Sequence, residues 1–139
     1  MATNISKLMI NASKDKVWDA LTIPEKVKAW QYGSELTTDW KVGNEIRFKS
    51  EWEGQIFEQW GTVLEFEPNH KLKYNLFAPR PDLDDKPENY FEMAYELVEK
   101  ENGTELLIVQ EDNRPGAKQE AVQGEENPVL KMLKELIEK

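Results

Sequence analysis

Asn127-Pro128-Val129-Leu130-Lys131-Met132-Leu133-Lys134-Glu135-Leu136-Ile137-Glu138 is the stretch on which the reading of the whole chain turns. Asn caps helices well, and Pro suits the first helical turn, where its missing N–H has no intrahelical partner anyway. Behind them Val129, Leu130, Met132, Leu133, Leu136 and Ile137 recur at i, i+1, i+3, i+4, i+7 and i+8, with Lys131, Lys134, Glu135 and Glu138 largely opposite. A helix with so apolar a stripe needs a partner surface. The segments before it supply one.

Working back from that helix, two runs alternate with a period of two. Thr104–Glu111 is preceded by Phe91, Met93, Tyr95 and Leu97, which are interleaved with Glu92, Ala94, Glu96 and Val98. Asn102-Gly103 between them reads as a hairpin of type I′, whose two central residues need positive φ. Leu72, Tyr74 and Leu76 alternate with Lys71, Lys73 and Asn75, after a tight Pro68-Asn69-His70 connection. Within Gln55–Phe66, the residues Trp60, Thr62, Leu64 and Phe66 share one side, and Gly61 marks a bulge or bend. Ile46, Phe48, Ser50 and Trp52 alternate with Glu45, Arg47, Lys49 and Glu51, and Gly54 turns the chain. Thr3–Ile10 is the first strand. Two short helices follow it: one capped by Ser13 with Val17, Ala20 and Leu21 inward, one opened by Pro24 with Val27 and Trp30 inward. Asp112–Gly124 is polar and loop-like, with a short helical piece expected near Lys118–Val122. Strands grouped together with helices segregated give an α+β class, with a mainly antiparallel sheet of about six or seven strands wrapped on one long C-terminal helix. Residues 1–139 are expected to form a single domain.

Composition narrows the function classes. The chain has 27 acidic and 18 basic residues, a net charge of −9, so it repels nucleic-acid backbones and anionic lipid surfaces. With no cysteine, disulfides, thiolate chemistry and Cys-ligated metals are excluded. No signal peptide or membrane-length apolar run is visible, so a cytoplasmic protein without nucleic-acid or membrane partners is expected.

Ile10-Asn11-Ala12-Ser13-Lys14-Asp15-Lys16-Val17-Trp18-Asp19-Ala20-Leu21-Thr22, continued by Pro24, Glu25 and Trp30, resembles the opening of the Hsp90 ATPase activator homologue-like family. The likeness runs on through Asp39-Trp40, Val42-Gly43, Ile46 and Phe48. It continues with Gly61, Val63-Leu64-Glu65, Glu67-Pro68, Leu72 and Tyr74, then Leu97-Val98-Glu99 and Gly103-Thr104 with Leu106. The family often opens its last helix with Gly-Trp, where this chain has Asn127-Pro128. The resemblance implies the helix-grip fold of the START/Bet v 1-like (SRPBCC) superfamily, in which a bent sheet and a long helix enclose a cavity. It implies two kinds of partner: a hydrophobic or lipid-like small molecule in that cavity, or a chaperone or other protein.

Inner-face positions give the cavity-lining candidates Trp52, Glu58, Trp60, Tyr74, Phe91, Met93, Tyr95 and Met132. Glu58 belongs to this set by strict alternation from Trp60, whereas a bulge at Gly61 would turn it to solvent. His70, the only imidazole, falls in a turn with no evident partner for base catalysis. Asp82, Asp84 and Asp85 lack the spacing and glycine of a calcium loop, and read as a solvated acidic loop or a lid over the cavity mouth. No cofactor, metal or catalytic set is expected, and binding precedes catalysis among the readings.

Overall fold

Most secondary elements follow from a local pattern, and the computed structural model describes residues 2–138 except 32 and 125, with the Trp52 side chain also outside the description. Strand β1 (Ala2–Ile10) leads into helices α1 (Lys14–Thr22) and α2 (Pro24–Trp30). Strands β2 (Glu35–Thr38), β3 (Glu45–Trp52), β4 (Gln55–Glu67), β5 (Lys71–Leu76), β6 (Phe91–Lys100) and β7 (Gly103–Asp112) follow, and α3 (Pro128–Glu138) closes the series. All pairings are antiparallel, in the order β1-β7-β6-β5-β4-β3-β2. This is the curved sheet and C-terminal helix of the helix-grip fold.

Helix α1 buries Val17, Trp18, Ala20 and Leu21, and carries Asp15 in its first turn, where the helix dipole favours negative charge. Ser13 holds the extended N-cap backbone, but its side chain makes no capping hydrogen bond. Trp30 Nε1 donates to the Ala20 carbonyl at 2.7 Å, which fixes α2 against α1. In α3 the Asn127 carboxamide oxygen accepts from the Val129 N–H at 2.9 Å, as a cap ahead of Pro128 should. The stripe buries Leu130, Leu133 and Ile137 at 5, 0 and 6% exposure, and each such burial contributes roughly 1.5–3 kcal/mol. Those side chains join one core with Leu8, Ile10, Leu72, Tyr95, Leu97 and Leu106 from the sheet.

Four details depart from the sequence reading. β2 is an extra strand, too short to show alternation, since only Leu36 of its four residues is buried. The β6–β7 hairpin turns at Glu101-Asn102, and positive φ falls on Gly103 at 150°, so the turn is not type I′. Residues 118–122 form no helix. They lie along β1, where the Asn4 carboxamide donates to the Lys118 carbonyl at 3.2 Å and accepts from the Glu120 N–H at 2.7 Å. Just beyond them Gln123 N–H donates to Ile5 O at 3.0 Å and Lys7 N–H to Gln123 O at 2.8 Å, so the segment covers an otherwise open sheet edge.

The fourth departure bears on the cavity. The register between β4 and β5 shifts between Val63 and Glu65, so the extra residue is Leu64 and not Gly61. Phe66 packs inward against Trp18 and Trp40, at 5.3 and 5.4 Å between ring centroids. On the far side of the bulge the inward set is therefore Phe57, Gln59, Gly61 and Val63, the partners of Ser50, Phe48, Ile46 and Tyr74. Counting back from Phe66 in twos lands on the wrong face.

Candidate ligand-binding cavity

Between the concave sheet face and the helices lies a cavity of about 370 Å³. Phe48 and Ser50 from β3, Phe57 and Gln59 from β4, and Tyr74 and Leu76 from β5 form one wall. Phe91, Met93 and Tyr95 from β6 and Gln110 from β7 continue it, while Trp30 and Val129 close it from α2 and α3. Gln31 and Ser34 also contribute to the lining, and Phe57 is 50% exposed. The wall is mostly aromatic and aliphatic, and among the described residues no Asp, Glu, His, Lys or Arg contributes to it.

Two phenols stand out inside this lining. Tyr74 and Tyr95 are 4 and 6% exposed, and their hydroxyl oxygens lie 3.3 Å apart. Burial pushes both phenols above their ordinary titration range, so both keep their protons. Their rings pack at a centroid distance of 6.0 Å, and Tyr74 also touches Phe48 at 5.8 Å and Trp40 at 6.3 Å.

Of the eight candidates from sequence, Tyr74, Phe91, Met93 and Tyr95 come together on this wall. Trp52 has its side chain outside the described residues. Glu58 and Trp60 do not line the cavity. The bulge at Leu64 turns them to the outer face, where Glu58 meets Arg47 at 2.8 Å and the Arg47 guanidinium lies 5.2 Å from the Trp60 ring centroid. Met132 is 37% exposed, on the flank of α3 beside the buried Leu133. Phe48, Gln59, Leu76, Gln110 and Val129 also belong to the wall. Strand alternation already placed Phe48 and Leu76 inward, whereas Gln59 was hidden by the bulge.

The acidic loop is not a lid. No residue of 78–88 contributes to the cavity wall. Asp85 instead accepts from Trp60 Nε1 at 3.0 Å and from the Tyr90 hydroxyl at 2.6 Å, fastening the loop to the outer face. Asp82 pairs with Arg80 and Asp84 with Lys86, so the three carboxylates are dispersed. His70 is an exposed turn residue whose carbonyl accepts from Leu97 N–H at 2.8 Å.

Behind the wall, Arg114 forms a two-pronged pair with Asp112, at 2.9 and 2.7 Å, and its guanidinium carbon sits 4.3 Å from the Phe91 ring centroid. The guanidinium hydrogen bond holds the Asp112 carboxyl below the usual range. A depressed carboxyl contributes stability that is present above its unfolded value of about 3.9 and is lost as pH falls through the lower folded value. Asp112→Asn is therefore expected to cost about 1–3 kcal/mol near pH 7 and progressively less below about pH 4. Urea titrations at several pH values would check this, and an equal cost at all pH values would contradict it.

The model of the family described as activator of Hsp90 ATPase homolog 1-like protein matches residues 11–138. The chain belongs to this family. A Cytophaga hutchinsonii protein solved in solution, ChR145, is 35% identical, with 84% of this chain and 80% of that one covered at a TM-score of 0.71. The crystal structure of CV1439 from Chromobacterium violaceum is 21% identical, covers 99% of this chain and 97% of its own, and gives a TM-score of 0.77. The Aha1 dimer from Colwellia psychrerythraea is 20% identical, with 85 and 81% coverage and a TM-score of 0.60. The last two likenesses speak for the fold alone. No curated protein matches the chain. In this member of the activator-homologue family, several residues that carry the family resemblance are core residues: Val17, Trp18, Trp30, Ile46, Phe48, Val63, Leu72, Tyr74 and Leu106 are all buried. Family membership supports a ligand-binding or Aha1-like module. Among the described residues, no helix is long and apolar enough to cross a membrane.

Proposed function

We propose that this family member binds a small, neutral, largely apolar molecule in the cavity between its sheet and its helices. The observation that carries this reading is a mostly aromatic-walled space of about 370 Å³ with no charged side chain on it among the described residues, near the lower end of the roughly 300–1,000 Å³ typical of ligand pockets. A space of that size suits a one- or two-ring compound better than a long-chain lipid. An anion or cation would enter without a counter-charge, which disfavours it. The same lining favours binding over acid–base catalysis, because a general base must lie within hydrogen-bond reach of the substrate.

Native mass spectrometry and thermal-shift titration with a panel of neutral aromatic probes test the reading. Saturable one-to-one binding by some of them is expected. Ser50→Phe, which places a ring in the empty space, should weaken that binding about tenfold or more while leaving the melting temperature close to wild type. Indifference of every probe to this substitution would remove the cavity as the site.

A second reading draws on the exposed tip of the β3–β4 hairpin, where Ile56 and Phe57 are 58 and 50% exposed. Apolar side chains presented on a projecting hairpin suit a protein partner. A chaperone of the Hsp90 class is the partner that the family description suggests. A pull-down with an ATPase measurement tests it, and neither binding nor a change of rate would remove it.

A further inference from the structure

We propose that the paired hydroxyls of Tyr74 and Tyr95 form a donor subsite in the cavity for the carbonyl or ether oxygen of a neutral ligand. This deepens the small-molecule reading above and rests on it. The two phenols carry two protons, and the 3.3 Å contact between their oxygens uses only one of them. Whichever hydroxyl donates, the other retains a proton without an acceptor, since neither makes another hydrogen bond among the described residues. Both side chains are more than nine-tenths buried and both line the cavity. A donor left idle on a mostly apolar wall is unfavourable, and an acceptor oxygen on a bound molecule relieves it.

Packing keeps the pair in place. The Tyr74 ring is held against Phe48 and Trp40, and the Tyr95 ring lies 6.0 Å from that of Tyr74. The hydroxyls therefore present a fixed relay, in which one phenol polarises the other and strengthens the outward bond. Because burial raises both titrations, the relay remains a donor at any ordinary pH. A carboxylate oxygen would satisfy the same geometry, but it would bring a charge that no cation among the described wall residues balances.

The matched probes 1-indanone and indane differ at one carbonyl. Their affinity ratio for wild type divided by that for the Tyr74→Phe/Tyr95→Phe double variant cancels their different hydration. The ratio of indanone to indane affinity is expected to fall roughly three- to tenfold in the double variant, with indane binding retained. In the wild-type protein, which needs no variant to fold, the carbonyl stretch of bound 1-indanone should move to lower wavenumber than in cyclohexane. An unchanged ratio, or a carbonyl stretch equal to that in cyclohexane, overturns the subsite and leaves the cavity reading standing. Failure of both probes to bind wild type overturns the subsite and the cavity reading together.

Discussion

Leu133→Ala is expected to lower the unfolding free energy by about 2–5 kcal/mol, because the side chain is fully buried at the middle of α3. Its side chain belongs to the core shared by the helix and the sheet. Met132→Ala, one residue away and 37% exposed, should stay within about 0.5 kcal/mol of wild type. Urea denaturation measures both: the Leu133 variant should show a lower midpoint with an unchanged slope. Equal effects at the two positions would mean that α3 presents a different face to the sheet.

Gly61→Ala is the second large effect, expected at about 1–3 kcal/mol. A Cβ at Gly61 would lie 2.6 Å from the Asn75 carbonyl carbon and closer still to its oxygen. That neighbour is backbone, held in turn by the Asn75 carboxamide, which accepts from the Thr62 N–H at 2.8 Å, so it cannot swing aside. The strain falls where β4 and β5 close up, just before the bulge that turns the cavity wall. The variant's melting temperature measures the cost, and a melting temperature equal to wild type would mean that β5 does not approach β4 so closely.

These two positions also show what the sequence could and could not convey. The apolar stripe of α3 was legible because helical periodicity and burial coincide: Leu130, Leu133 and Ile137 point where their spacing requires. The same periodicity placed Met132 on the stripe, since a window of sequence carries no information about where the stripe ends. In the strands, alternation placed Tyr74, Phe91, Met93 and Tyr95 inward because β5 and β6 pair without a slip. In β4 it failed. The inserted residue, Leu64, is a hydrophobic residue among others, with nothing in its chemistry to announce a bulge, whereas Gly61 looked like one and instead makes room for Asn75. Glu58 and Trp60 changed faces for that reason. Their new neighbours, Arg47 and Asp85, come from β3 and from a loop, contacts that no local pattern encodes. Residues 118–122 are similar: their polar composition suits an edge-covering strap as well as a helix, and only the open side of β1 decides between them.

A small apolar guest seated beneath the helices should be visible in methyl-resolved carbon–proton correlation spectra recorded with indane. Saturable shifts confined to the methyls of Leu76, Met93 and Val129, the methyl-bearing residues of the wall, are the result predicted. Shifts confined to the surface methyls of Ile56 and Val98, or no saturable shift at all, would contradict it.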